Sequence, residues 1–238
     1  ERGQAARQAE NGAGKTGDSD EAEILPRPEQ IRTLEDYLGY ADQLEKDSIP
    51  VHNLREIVGH YSRVIEQVEE ASRMETCDFG HDIRNNRDPF TILIPEAQEM
   101  RGFARILMLK AELEIREGSY DEALKSMRIA MEMGRHVAET PFLINALVGV
   151  AIHGMVFDKA RHMSEYPGAP SLYWTYATLP LPLIDFTPAL DCEQDILFIM
   201  LPELAELADP DAPPRSVAEW RETISQIKKS AITYNMDM

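Results

Sequence analysis

From Gln30 onward, apolar residues fall at the spacing of an α-helix. Ile31, Leu34, Leu38 and Ala41 form a first stripe, stopped by Ser48-Ile49-Pro50. A second helix is predicted with Asn53 as N-cap and Glu56 at the reciprocal position, carrying Leu54, Ile57, Tyr61, Val64, Val68 and Ala71 on one face. The short turn between the two makes them antiparallel. After a long connection from Met74 to Ile94, broken by Asn85-Asn86-Arg87-Asp88-Pro89, Pro95 opens a third helix that runs to Glu117 and is closed by Gly118. Ser119 with Glu122 reads as a capping box for a fourth helix, whose Ala123, Met127 and Ala130 face inward. Thr140-Pro141 has the form of a cap followed by proline and predicts the start of a fifth. That helix is apolar almost all round from Phe142 to Val156, the pattern of a helix in the middle of a domain.

Beyond it, Tyr166 to Ile184 is uncharged but holds Pro167, Pro170, Pro180 and Pro182, so it cannot form one long helix. Thr187-Pro188 opens another helix through Ile196 to Leu201, and Asp209-Pro210 and Pro213-Pro214 break the chain before a last helix from Ser216. This helix begins with the box Ser216-x-x-Glu219 and places Val217, Trp220, Ile224, Ile227, Ala231 and Tyr234 on a narrow seam. Such a seam needs one partner helix, and a largely buried Trp220 docked on the chain's own body is expected, with self-association in a homo-oligomer as the second arrangement. No segment alternates like a strand. The fold class is all-α, a set of packed helical hairpins forming an α-α superhelix or an irregular bundle. The domain spans 30–208, with a flexible acidic tail over 1–29 and a C-terminal helix over 215–235 docked on the domain or on a partner.

Composition narrows the function classes. Across 238 residues, 42 Asp and Glu stand against 24 Lys and Arg, a net charge of -18. That field repels nucleic acid and anionic lipid over any extended contact. The uncharged run Thr140 to Phe157 includes Asn145, Gly149, His153 and Gly154 and reads as a core helix rather than a membrane span. Cys77 and Cys192 have no metal-type spacing. The chain opens on Glu1 rather than Met, so a natural N-terminus lost by processing or truncation is expected, which would suit an exported or envelope-associated bacterial protein whose signal has been removed.

Several short patterns invite chemistry. Ala9-x4-Gly14-Lys15-Thr16 satisfies the loose phosphate-loop pattern, but no strand precedes it and carboxylates follow it, so a nucleotide-free tail is expected. Asp78-Phe79-Gly80 matches a kinase triplet without any of its companions, and Gly80 is read as turning the chain. His81 and Asp82, with His60 and Asp158, are the residues an all-helical metal-dependent hydrolase would use. Asn145, Gly149 and His153 recur every four residues on the most apolar helix, where Asn145 and His153 could line a small-molecule pocket. Tyr173, Trp174, Tyr176 and Trp220 are candidates for a recognition surface.

Residues 104–137 resemble a tetratricopeptide repeat. Ala111, Ala123 and Ala130 stand at the small positions, Gly118 and Tyr120 in the turn and Met127 at the bulky position, while Lys110 and Glu114 occupy places where that repeat has apolar or small side chains. Over Asn53 to Leu204, the order of Cys77-Asp78-Phe79-Gly80, Gly118-Ser119-Tyr120-Asp121-Glu122-Ala123, Leu172-Tyr173-Trp174 and Leu179-Pro180-Leu181-Pro182-Leu183-Ile184-Asp185 is similar to an uncharacterised helical family of planctomycete bacteria, with Phe79 where that family more often has Trp. These resemblances imply a helical fold and supply no catalytic residue. The expectation is a non-enzymatic scaffold for protein-protein interaction that needs no cofactor or metal, its partner a separate protein or the remainder of a longer chain. The metal-dependent hydrolase and the small-molecule binder are the alternatives.

Overall fold

The computed structural model describes residues 27, 30–40, 49–81, 92–201, 204 and 214–236. The Gly14-Lys15-Thr16 pattern, Asp82, the breaker at 85–89 and Asp209-Pro210 lie outside these residues. Among the described residues every regular element is a helix: α1 Leu34–Tyr40, α2 Val51–His60, α3 Ser62–Ala71, α4 Pro95–Arg116, α5 Tyr120–Ala138, α6 Leu143–Met163, α7 Tyr173–Ala177, α8 Thr187–Met200 and α9 Val217–Met236. Helices α4, α5 and α6 pack against one another, α2 and α3 lie on α4, and α8 lies on α6. This is the all-α class that the spacing of apolar residues predicts.

The central helix differs from the one the sequence suggests. From Arg101 to Arg116 no residue of α4 is exposed, whereas α6 leaves Ile144, Leu147 and Val150 48%, 53% and 45% exposed. An amphipathic helix can be central because its charges are answered by neighbouring helices. Lys110 Nζ donates to Ser126 Oγ at 2.9 Å and pairs with Glu114, and Ser126 Oγ donates to Glu114 Oε2 at 2.8 Å. Lys110 and Glu114, the two departures from the repeat pattern, thereby form a polar triad with α5. Lys159 Nζ of α6 donates to Glu112 Oε2 at 2.6 Å, with His162 Nε2 3.4 Å away, and Arg116 Nη1 donates to the Ile49 carbonyl at 2.6 Å. At 21 residues and a mean hydropathy of 1.4 over its most apolar window, α6 is long and apolar enough to cross a membrane, and 44% of that window is buried here.

Several helix ends are set by tertiary contacts instead of the expected caps. Asn53 does not cap α2; it is wholly buried in the first turn, and its Nδ2 donates to the Ile31 carbonyl at 2.8 Å, tying the approach to α1 onto α2. The single helix expected through Ala71 is broken at Tyr61. Between α4 and α5, Gly118 at φ 76° donates to Ile115 O at 3.0 Å and Ser119 N to Glu114 O at 2.8 Å, a reversal closed entirely by backbone. Ser119 makes no side-chain cap, and Glu122 pairs with Lys125 at 2.6 Å instead of completing a box. Thr140-Pro141 belongs to the turn before α6, which starts at Leu143. The capping box of α9 does form, with Ser216 N donating to Glu219 Oε2 at 2.6 Å and Glu219 N to Ser216 Oγ at 3.3 Å. The described part of its seam is not buried as expected: Val217, Trp220 and Ile224 are 69%, 44% and 47% exposed, while Thr223, held by Arg215 Nη1 at 2.8 Å, is buried.

Ala104, Ala111, Ala123 and Ala130 are wholly buried in one core. The tightest approach lies between α5 and α6. A Cβ on Gly149 would sit 2.5 Å from the Gly134 carbonyl oxygen, and one on Gly134 would sit 2.7 Å from the His153 ring. Only glycine permits that contact. Gly149→Ala is expected to force the helices apart and cost about 1–3 kcal/mol, measured as a lowered urea midpoint at unchanged slope. Gly154→Ala, on the same helix with open space at its Cβ, is the control and should leave the midpoint unchanged or raise it.

Candidate functional site

The stripe Asn145, Gly149, His153 does not line one pocket. Its members lie about 6 Å apart along α6, and each does a different task. Gly149 makes the crossing with Gly134. Asn145, wholly buried, donates from Nδ2 to Glu96 Oε1 at 3.1 Å. His153 is buried over Gly134, with Nε2 3.0 Å from the Met131 carbonyl. Burial lowers the His153 imidazole below its ordinary value, against the opposing effects of that carbonyl and of Glu132. It is therefore neutral at pH 7, with Nε2 carrying the proton donated to Met131.

Asn145 leads to a second cluster. Glu96, in the first turn of α4, also takes His81 Nε2 at 2.8 Å, and the His81 ring stands edge-on to Phe142 at 5.5 Å. Burial by itself would raise the Glu96 carboxyl, but hydrogen bonds from Asn145 and His81 outweigh it and hold the group below the usual carboxylate range. Of the four hydrolase candidates, Asp82 lies outside the described residues, His60 packs on Tyr61 at 5.0 Å and Asp158 pairs with Arg161 at 3.3 Å. Among the described residues no three of His, Cys, Asp and Glu are grouped to hold a metal ion.

The connection after α3 is stitched to the end of α5. Arg135 pairs with Glu132 at 3.1 Å and with Glu139, and donates to the Glu75 carbonyl at 3.2 Å. Glu139 Oε2 accepts from Cys77 N at 2.8 Å, and His136 Nε2 lies 2.9 Å from the Met74 carbonyl. Gly80 at φ 73° turns the chain, its amide donating to Asp78 Oδ1 at 2.8 Å. Burial pushes the thiols of Cys77 and Cys192 up, away from the thiolate a nucleophile needs.

A cavity of about 450 Å³ opens between α5, α6 and the segment 172–183. Met127, Met131, Val156 and Phe157 form its apolar wall, His153 lies beside it, and Tyr176 closes over Phe157 at 5.7 Å. Burial raises the Tyr176 phenol above its ordinary value. His153 and Tyr176 are the sequence candidates that meet here. Tyr173 and Trp174 stack edge-on at 5.0 Å on the same short helix and point outward, Trp174 74% exposed. Trp220 lies apart on α9. Arg128, which also lines the cavity, gave no sequence signal; Glu96 was detectable only as an acidic residue beside Pro95. No protein-family model, curated protein or solved structure matches the chain.

Because the folded Glu96 value is depressed from 4.5, the stability it contributes is present above about that pH and is lost as the pH falls through the lower folded value. Asn145→Ala should cost about 1–3 kcal/mol at neutral pH. The loss should shrink on acidification as Glu96 protonates, seen in urea unfolding between about pH 7 and about pH 3.

Proposed function

We propose that this chain is a non-enzymatic helical scaffold that docks a separate protein. The observation that carries this reading is the solvent face of α6, where Ile144, Leu147 and Val150 stand about half exposed and Ala151 and Gly154 continue the stripe. A large apolar face of this kind is what a partner covers. The exposed Tyr173 and Trp174 add aromatic side chains of the type that anchors interfaces. The repeat-like unit over 104–137 supports the same reading, since hairpins of that kind stack into recognition surfaces. The buried ionisable groups agree with it too, because Glu96, Glu112, His136, His153 and His162 all contact backbone or side chains of other segments.

Leu147→Glu tests the proposal, because an exposed position tolerates the charge within about 0.5 kcal/mol while a covered interface does not. A partner retained by the wild-type chain, identified and purified, should lose at least about tenfold in affinity for the variant. The thermal midpoint should stay close to wild type. Equal affinity for both proteins would overturn the reading, and light scattering at rising concentration would reveal whether the partner is a second copy.

A further inference from the structure

The cavity between α5, α6 and the segment 172–183 lies on a different face of α6 from Ile144, Leu147 and Val150, and so it stands independently of the docking reading. Its volume of about 450 Å³ falls in the range of small-molecule sites, about 300–1,000 Å³. At about 30 Å³ for each group the size of a water molecule it accommodates roughly fifteen such groups. The wall is flexible and apolar: Met127 and Met131 from α5, Val156 and Phe157 from α6, and Leu183 from the segment 172–183, which forms a strap along the cavity. Methionine walls adapt to an unbranched chain better than to a rigid ring system.

The charged side chains are confined to one side, along α5, where Arg128, Glu132 and Arg135 reach the cavity, while His153, Thr175, Tyr176 and Thr178 add neutral polar groups on the other sides. The charges there are unequally committed. Glu132 is neutralised by Arg135 at 3.1 Å, and Arg135 also pairs with Glu139. Lys125, one turn before Arg128, is held by Glu122 at 2.6 Å. Of the lysine and arginine side chains on α5, Arg128 alone has no acidic partner among the described residues. In a chain of net charge -18, Arg128 is an exposed guanidinium with no intrachain carboxylate among the described residues at the edge of an apolar cavity, and so is open to one on a ligand. A guanidinium binds a carboxylate through two parallel N–H donors, a geometry that a neutral or cationic head group does not match.

We infer that this cavity binds an amphiphilic monocarboxylate, with an aliphatic chain of about ten carbons among Met127, Met131, Val156, Phe157 and Leu183 and its carboxylate on Arg128. One guanidinium matches one negative charge, so a monocarboxylate fits it better than a dianion such as a phosphate monoester.

Isothermal titration calorimetry of the full chain with sodium decanoate, below its micellar concentration, tests this. Saturable one-to-one binding is expected, with decylamine at least about tenfold weaker. Arg128→Gln, an exposed substitution, should weaken decanoate about three- to tenfold with an unchanged thermal midpoint. Leu183→Trp should abolish binding by filling the cavity. Absence of saturable decanoate binding, equal binding of decylamine, or full affinity in the Arg128→Gln protein would each overturn the inference.

Discussion

The backbones of α5 and α6 touch at Gly134 and Gly149, and the placement of nearly everything else follows from that contact. Two helices normally keep 8–10 Å between axes because side chains separate them. Removing both side chains at one crossing draws the helices together, and His153 is then laid over Gly134 with its ring nitrogen within reach of the Met131 carbonyl. The same close approach presses Ile184 against Gly149, which seats the strap that roofs the cavity. The cavity survives one turn further along, where Met127, Met131 and Phe157 are too long to interlock as closely.

Around this contact the molecule solves its polar problem by pairing between helices. Glu96, Glu112 and Glu114 on α4 could not be covered unless cations, amides or hydroxyls from elsewhere came to meet them. Asn145 and Lys159 do so from α6, 49 and 47 residues away in sequence, and Ser126 from the adjoining α5. That exchange lets a helix of ordinary amphipathic composition occupy the middle while the most apolar helix keeps a solvent face.

The sequence made legible what depends on local spacing. The apolar periodicity located α4 to α6 and α9 and ran α2 and α3 together as one helix, Pro95 marked the start of α4, Gly118 marked its end, and Ser216 with Glu219 formed the box their spacing suggests. It misled where a residue had two uses. Asn53 and Ser119 are good caps by type, yet one is drawn inward to a distant carbonyl and the other gives its amide to the preceding helix. Trp220 lies on a well-formed seam whose neighbours leave it uncovered. Hydropathy misjudged α6, because it weighs a residue's own surface and not the charges that a central helix can have neutralised by others. At the site, His153 and Tyr176 were singled out by type, but their meeting depends on the strap folding back, and Arg128 becomes distinctive only when the pairing of Lys125 and Arg135 is known.

Glu96 reaches Asn145 at one end of the α4–α6 pair, and Glu112 reaches Lys159 at the other. The two helices therefore run parallel, pinned at two heights by carboxylates that tolerate no vacancy. Such a pair works like a vernier. Deleting one residue between Asn145 and Lys159 would shift the second pin by about 1.5 Å and swing it about 100° around the axis, so both pins could be kept only by a matching deletion in α4. The lengths of these two helices are thus tied to each other, and loops, not helices, are where this chain can lengthen or shorten over time.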